Sequence, residues 1–99
     1  MTRQFEFDPA KSAKNARERG LPFDLAPAMF AGPLLEWTDK RFDYGEPRFN
    51  GLGYIGSRLF FVTYVIRGDV TRIISFRKAN QGEQEAYDAY VDPGRESEG

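Results

Sequence analysis

The chain has 99 residues, of which 40% are hydrophobic and 29% charged, a composition typical of one globular domain with one core. It contains no cysteine, which excludes disulfides, a thiol nucleophile and a Cys-ligated metal. It contains no histidine either, so any catalysis must rely on Glu, Asp, Lys, Tyr and Arg, and we expect neither a metal nor another cofactor.

The net charge of −1 hides an uneven distribution along the chain. Residues 1–80 carry 13 Lys and Arg against 9 Asp and Glu, whereas residues 81–99 carry one Arg against six acidic residues. Four arginines and one lysine fall between residues 58 and 78, against one aspartate. Arginine in these positions favours phosphate recognition, the alternative being ordinary surface charge beside a solvated tail.

No apolar run approaches the ~20 residues of a membrane span, so we expect no membrane partner. The first residues have no apolar stretch that could act as a signal peptide. Because a small secreted domain usually needs disulfides, we expect the protein to be cytoplasmic.

The first elements predicted are a short strand and a surface helix. Residues 4–7 alternate between polar and apolar side chains, which predicts a strand. Asp8 can cap a helix that has Pro9 at its first position, and Gly20 is a natural end for it. A second, shorter helix is predicted over residues 25–30, with Asp24 as its N-cap and Pro27 at its third position.

The rest of the chain predicts a sheet and a last helix. The predicted strands are residues 34–38, 47–54, 58–66 and 70–77, with residues 58–66 central because they are apolar on both faces. Gly51 and Gly53 indicate a bulge or a close backbone approach, and residues 67–69 a hairpin turn. A helix over residues 81–90 completes one α+β domain, residues 1–91, with an antiparallel sheet; residues 92–99 are predicted to be an acidic flexible tail.

Two arginines of the last strand are candidates for phosphate contacts. Strand alternation places Arg72 on one face and Arg77 on the other, unless the strand ends at residue 76, in which case both can reach one groove. The structural alternative is an internal ion pair with Glu36, Asp43 or Glu46.

The loop before the second long strand concentrates cations, carboxylates and a phenol within residues 39–48. On composition alone such a loop is most simply a solvated segment with weak surface salt bridges. A resemblance across the chain gives it a second interpretation.

Three separated motifs resemble those of the BrnT family, which are ribonuclease toxins of type II toxin–antitoxin modules. The motifs are Phe5-Glu6-Phe7-Asp8-Pro9-Ala10-Lys11, then Arg41-Phe42-Asp43-Tyr44-Gly45-Glu46 with Arg48-Phe49, then Arg67-Gly68 with Arg72-Ile73-Ile74-Ser75, Arg77 and Ala79. The resemblance covers residues 5–87. It implies a compact RelE-like fold, cleavage of an RNA substrate, and neutralisation by a BrnA-type antitoxin whose ribbon-helix-helix domain binds operator DNA, so that the toxin meets that DNA only through the antitoxin.

The chain departs from the family pattern where the family has histidine. Arg19 and Phe42 stand in the two histidine places, and Glu18 stands in a lysine place. The residues that match are Arg41, Tyr44, Glu46, Arg48, Arg72 and Arg77. The fold and partner implied by the family therefore transfer better than the activity.

RNA cleavage beside a 2′-hydroxyl needs that hydroxyl deprotonated, the phosphorane charge stabilised and the leaving oxygen protonated. Arginines supply the second requirement. Glu46 is the candidate base, and Tyr44 or Tyr64 is the candidate to hold or protonate the leaving oxygen. Phe42 and Tyr44 are candidates for stacking bases. The candidate catalytic residues are Arg41, Tyr44, Glu46, Arg72 and Arg77, and the candidate RNA-binding residues are Arg48, Arg58, Tyr64 and Lys78.

Two other functions stay open from the sequence. The first is a family member with little or no activity that acts as an antitoxin-binding regulatory partner in a DNA-bound complex. The second is a small-molecule enzyme, for which no phosphate loop or metal cluster is visible. For both the ribonuclease and the regulatory member, we expect the antitoxin to cover a groove on the basic sheet. We expect Glu83, Glu85 and Asp88 to lie away from that groove.

Overall fold

The computed structural model describes residues 3–41 and 43–92. In chain order the elements are β1 (Gln4–Phe7), α1 (Pro9–Arg19), a 3₁₀ helix (Phe23–Ala31), β2 (Leu35–Asp39), β3 (Arg48–Ile55), β4 (Arg58–Arg67), β5 (Val70–Lys78) and α2 (Gln81–Val91). None of the helices in this part of the chain is long and apolar enough to cross a membrane. The boundary of the acidic tail stays a prediction, since residues 93–99 lie outside the described residues.

The first helix begins and ends as predicted. The Asp8 carboxylate accepts a hydrogen bond of 2.9 Å from the Ala10 backbone N–H, and Gly20 ends the helix in the left-handed conformation, with φ of 70°. Ser12 is the one buried residue of α1, so the helix lies on the surface, as predicted.

The second helix is present as predicted, but the prediction that Asp24 caps it is wrong. The segment is a 3₁₀ helix that follows Pro22, and no side chain caps it. Its buried residues, Phe23, Ala26 and Met29, recur every three positions, which is the repeat of a 3₁₀ helix. The core therefore selects the tighter helix.

The five strands form one sheet in the order β1-β5-β4-β3-β2, so β4 is central, as predicted. Strands β2 to β5 are antiparallel, but β1 pairs with β5 in parallel, which makes the sheet mixed and corrects the prediction of an antiparallel sheet. Short connections hold β3, β4 and β5 antiparallel, whereas nothing local dictates the direction of β1 beside β5.

The two faces of the sheet are covered differently. The inner face packs against α1 and the 3₁₀ helix, and its core includes Val62, Tyr64, Ile73 and Phe76. The outer face is covered at one end, where Tyr87 of α2 packs on Leu52, Leu59 and Phe61.

Gly53 marks the close backbone approach that the sequence indicates. A Cβ atom at Gly53 would lie 2.9 Å from Cδ1 of Leu34 and 3.2 Å from the carbonyl oxygen of Met29. The one register shift in the described pairing lies elsewhere, between β4 and β5 at Thr63 and Tyr64.

Candidate functional site

The irregularity in β5 brings Arg72 and Arg77 to the same face of the sheet. Ser75 pairs with Thr63 but Ile73 pairs with Tyr64, so Ile74 is the extra residue of a bulge. Arg72 therefore pairs with Val65 and Arg77 with Phe61, and residues 61 and 65 share the outer face of β4. The sequence left open whether the two arginines reach one groove: strict alternation fails at the bulge and they share a face, but of the two only Arg77 lines the cavity that lies on this face.

The outer face holds a cavity of about 420 Å³, which we call the sheet cavity. Strands β2 to β5, the 39–44 loop and the start of α2 contribute to its wall. Its lining includes three arginines, three aromatic residues and two carboxylates, which are Arg41, Arg48, Arg77, Trp37, Tyr44, Phe61, Asp39 and Glu83. It therefore has the residue types that bind phosphate and stack bases.

Arg41 is held by the carboxylate of Asp39. Its Nε and Nη2 atoms lie 3.0 and 2.8 Å from the two oxygens of Asp39, and the Tyr44 hydroxyl lies 3.4 Å from Oδ2. The hydrogen bond from Arg41 lowers the pKa of Asp39 from 3.8 to about 2, and the same pair raises the pKa of Arg41. Asp39 is thus a positioning group that stays ionised near neutral pH.

Arg77 forms an ion pair with Glu83 of α2. Its two terminal nitrogens lie 2.8 Å from the two carboxylate oxygens, and its guanidinium lies 4.1 Å from the ring centre of Phe61. The hydrogen bond from Arg77 lowers the pKa of Glu83. The partner is none of the three acids suggested by the sequence, and Glu83, expected away from the groove, lines the sheet cavity.

Glu46 and Arg72 are also in ion pairs, both outside the sheet cavity. Arg72 binds Glu6 of the neighbouring strand, and Glu46 accepts hydrogen bonds of 2.7 and 3.3 Å from Arg67. The hydrogen bond from Arg67 lowers the pKa of Glu46. Glu46 thus lies in a surface ion pair outside the sheet cavity, and its catalytic role stays a prediction.

Arg48 differs from the other two arginines of the sheet cavity, because it forms no ion pair within 4 Å among the described residues, although its charge helps to lower the pKa of Glu46 from a greater distance. Its guanidinium lies 3.9 Å from the ring centre of Tyr44, and its Nε atom is buried without an acceptor in that part of the chain. Two positions along β3, the buried Asn50 accepts a bond of 2.8 Å from the Thr63 hydroxyl, and its amide nitrogen donates to no described acceptor. Arg48 therefore adds a positive charge without an ion pair to the wall of the sheet cavity, which favours an anionic ligand.

The sequence reasoning missed Trp37 and Asn50. Trp37 is 40% exposed, and its ring lies 6.0 Å from that of Phe61 beside the sheet cavity. Alternation puts residues 35, 37 and 39 on one face of β2. Because Asp39 begins the charged segment of residues 39–48, the spacing of two residues between Trp37 and Asp39 was the signal that could have placed Trp37 on the same face. For Asn50, the signal was a polar residue inside a strand.

Three predicted RNA-binding residues do not line the sheet cavity. Tyr64 is 1% exposed and packs on the inner face between Phe30 and Phe49, so bases cannot reach its ring. Arg58 and Lys78 are exposed, but strand alternation and the pairing of Lys78 with Phe60 put them on the inner face. Phe42, a candidate for stacking, lies outside the described residues.

Comparison with protein families gives one match, to the ribonuclease toxin BrnT of type II toxin–antitoxin systems, over residues 7–83. The matched range includes all the residues named above as lining the sheet cavity. No curated protein matches the chain. The resemblance seen in the three sequence motifs is thereby confirmed.

Proposed function

The chain belongs to the BrnT family of ribonuclease toxins of type II toxin–antitoxin systems, and we propose that it binds single-stranded RNA in the sheet cavity as the toxin of such a module. The RelE-like form of its α+β fold and its cytoplasmic location are parts of the same proposal. Arg48 is the residue on which the binding rests.

The observation that carries this proposal is that the Arg48 guanidinium lines the sheet cavity without an ion pair among the described residues. An RNA phosphate is a suitable ligand for it, since guanidinium and phosphate match in charge and geometry. The exposed ring of Trp37 lies where a base beside that phosphate can stack.

In cleavage, the 2′-oxygen attacks the adjacent phosphorus and the bond to the 5′-oxygen breaks, which leaves a 2′,3′-cyclic phosphate; water accepts the proton of the 2′-hydroxyl and supplies the proton to the leaving 5′-oxygen. Arg48 and the outer Nη1 group of Arg41 stabilise the charge that develops on the phosphate oxygens, because Asp39 uses only the Nε and Nη2 groups of Arg41. We assign Arg72 and Arg77 to ion pairs that support the sheet, and Glu46 to its pair with Arg67.

The same geometry favours a slow enzyme. The two carboxylates that line the described part of the sheet cavity, Asp39 and Glu83, have lowered pKa values, and the chain has no histidine. No group named there exchanges protons efficiently near neutral pH. This observation supports the second candidate, a regulatory member that keeps the antitoxin-binding surface and has little or no activity.

For both candidate functions the partner is a BrnA-type antitoxin with a ribbon-helix-helix domain. That domain binds operator DNA, so the complex of this chain with the antitoxin contacts DNA through the antitoxin. The family match supports an antitoxin as partner. The type of antitoxin and its contact with DNA follow from the resemblance of the motifs.

The test is binding and cleavage of fluorescent single-stranded RNA by the free protein. We expect Arg48→Gln to lower the affinity by about tenfold or more, since a charge-assisted contact contributes about 1.5–3 kcal/mol. Arg58→Gln removes the same charge from the inner face and should leave the affinity nearly unchanged. Equal losses in both variants would refute the site, and an inert native protein that still binds RNA would select the regulatory candidate.

A further inference from the structure

A second basic groove of about 290 Å³ lies between α1 and β5, on the other side of that strand from the sheet cavity. We call it the helix groove. Its lining includes four cations and one carboxylate, which are Lys11, Lys14, Arg19, Arg77 and Glu18. Its charge therefore favours an anionic ligand.

Hydrogen bonds fix the wall of the helix groove. The amide nitrogen of Asn15 donates to the carbonyl oxygen of Phe76 at 2.9 Å and to that of Leu21 at 2.7 Å. On the same helix, the Ser12 hydroxyl accepts a bond of 2.8 Å from the Phe23 backbone N–H. These bonds tie α1 to β5 and to the 3₁₀ helix, so the groove is preformed.

The helix groove adjoins the sheet cavity across β5. Both are lined by Ile74, Ser75 and Arg77, which belong to β5 at and after its bulge. Strand β1 ends at Phe7, opposite Ile73, so from Ile74 onward no described strand covers that edge of β5. A chain that leaves the sheet cavity over this edge enters the helix groove.

Three cations of the helix groove are available for a ligand. Lys11, Lys14 and Arg19 are exposed, and none has a carboxylate partner among residues 3–41 and 43–92. In contrast, carboxylates already bind Arg41 and Arg77 in the sheet cavity.

We infer that the helix groove binds the phosphates of the RNA segment next to the one held in the sheet cavity, so that one strand crosses the open edge of β5. This inference rests on the proposed function and extends it to a longer substrate. Exposed lysines contact a backbone without reading bases, so the groove adds affinity rather than sequence preference.

The test compares RNA lengths and salt dependence in the double variant Lys11→Gln with Lys14→Gln. For single strands of about 10 nucleotides we expect an affinity loss of about tenfold and a salt slope shallower by about 1.4, since each lost phosphate contact removes about 0.7. For strands of about 3 nucleotides, which fill the sheet cavity alone, the affinity should stay unchanged.

A charge-matched control distinguishes the loss of contacts in the helix groove from a general loss of positive charge. Arg17→Gln with Arg58→Gln removes two exposed cations that line neither cavity, and melting curves verify that both double variants fold. The inference would be overturned if the lysine variant kept its affinity for the long strand, or if the control lost as much affinity as the lysine variant. This holds even if Arg48→Gln weakens the binding of both the long and the short strand. Weaker antitoxin binding with unchanged RNA binding would assign the groove to the protein partner and overturn it too. If the native protein binds neither strand, the proposed function fails first.

Discussion

Glu83 binds Arg77 of the sheet and closes the N-terminus of α2 with the same carboxylate. Besides its two bonds of 2.8 Å from Arg77, it accepts one of 2.9 Å from the backbone N–H of Asn80, whose side chain accepts one of 2.8 Å from the Glu83 backbone N–H. This reciprocal pair is a capping box. The cavity wall and the helix cap therefore depend on one ion pair.

Arg77→Ala should destabilise the protein more than Arg72→Ala. The Arg77–Glu83 pair is largely buried, with side chains 30% and 19% exposed, so its loss should lower the free energy of unfolding by about 1–3 kcal/mol. Glu6, the partner of Arg72, is 44% exposed, and a surface pair of this kind contributes about 0.2–1 kcal/mol. Urea unfolding of the two variants measures the difference. The reverse order would show that Arg77 is held mainly for a ligand.

Acid should weaken the Asp39–Arg41 pair in a defined pH range. The pKa of Asp39 is lower in the folded protein, about 2 against 3.8, so the carboxylate stabilises the fold above pH 3.8 and this contribution disappears as the pH falls through 2. Asp39→Asn has no such contribution at any pH. The difference in the free energy of unfolding between native protein and variant should thus shrink from pH 4 to pH 2. A constant difference would contradict the ion pair.

Gly53→Ala should destabilise the protein through a clash with the 3₁₀ helix and the segment after it. The new Cβ atom would lie 3.2 Å from the Met29 carbonyl oxygen, which cannot move without the backbone, and closer still to Leu34. Overpacking of this kind costs about 1–3 kcal/mol. Gly32→Ala is the control, because its Cβ atom meets nothing within 4 Å and its φ is negative. Thermal melts that rank the two variants equally would contradict the close approach.

The strands and the first helix were predictable because local signals agree there: Asp8 and Gly20 bound α1, and the apolar run of residues 58–66 defines the central strand. The face of Arg77 was not predictable, because one extra residue at Ile74 reverses the alternation and no turn residue marks it. Its partner Glu83 lies on another element, in a cap that the sequence analysis did not recognise. Ion pairs across elements depend on tertiary packing rather than on spacing.

Antitoxin binding should weaken with salt, because the exposed cations of the helix groove and Arg48 present a basic surface. We expect the dissociation constant of the complex to rise between about 0.05 and 0.3 M salt, as charges separated by more than about 10 Å are screened there. Arg48→Gln should reduce this dependence and Arg58→Gln should leave it nearly intact. Biolayer interferometry with the cognate antitoxin measures it. An affinity independent of salt would refute an electrostatic interface.

Restoring the two histidines of the family pattern should raise RNA cleavage. Arg19 lines the helix groove, while Phe42 lies outside the described residues, and neither side chain exchanges protons near pH 7. A well-placed acid or base contributes about 10²–10⁴-fold in rate. We therefore expect the native protein to cleave weakly, without an optimum near pH 6.5, and Arg19→His with Phe42→His and Glu18→Lys to cleave faster and gain that optimum.

The matched control for restoration is Arg17→His with Glu18→Lys, which adds a histidine to α1 outside both cavities. A pH series on one single-stranded RNA with native, restored and control proteins separates the possible outcomes. A native protein with a fast rate would show that arginine charge stabilisation is sufficient and that histidine is dispensable. If the restored protein binds RNA but stays inert, positioning of the 2′-oxygen is missing as well, since proton transfer accelerates only a correctly aligned attack. That result would support the regulatory function, in which the chain keeps its antitoxin-binding surface and does not cleave RNA.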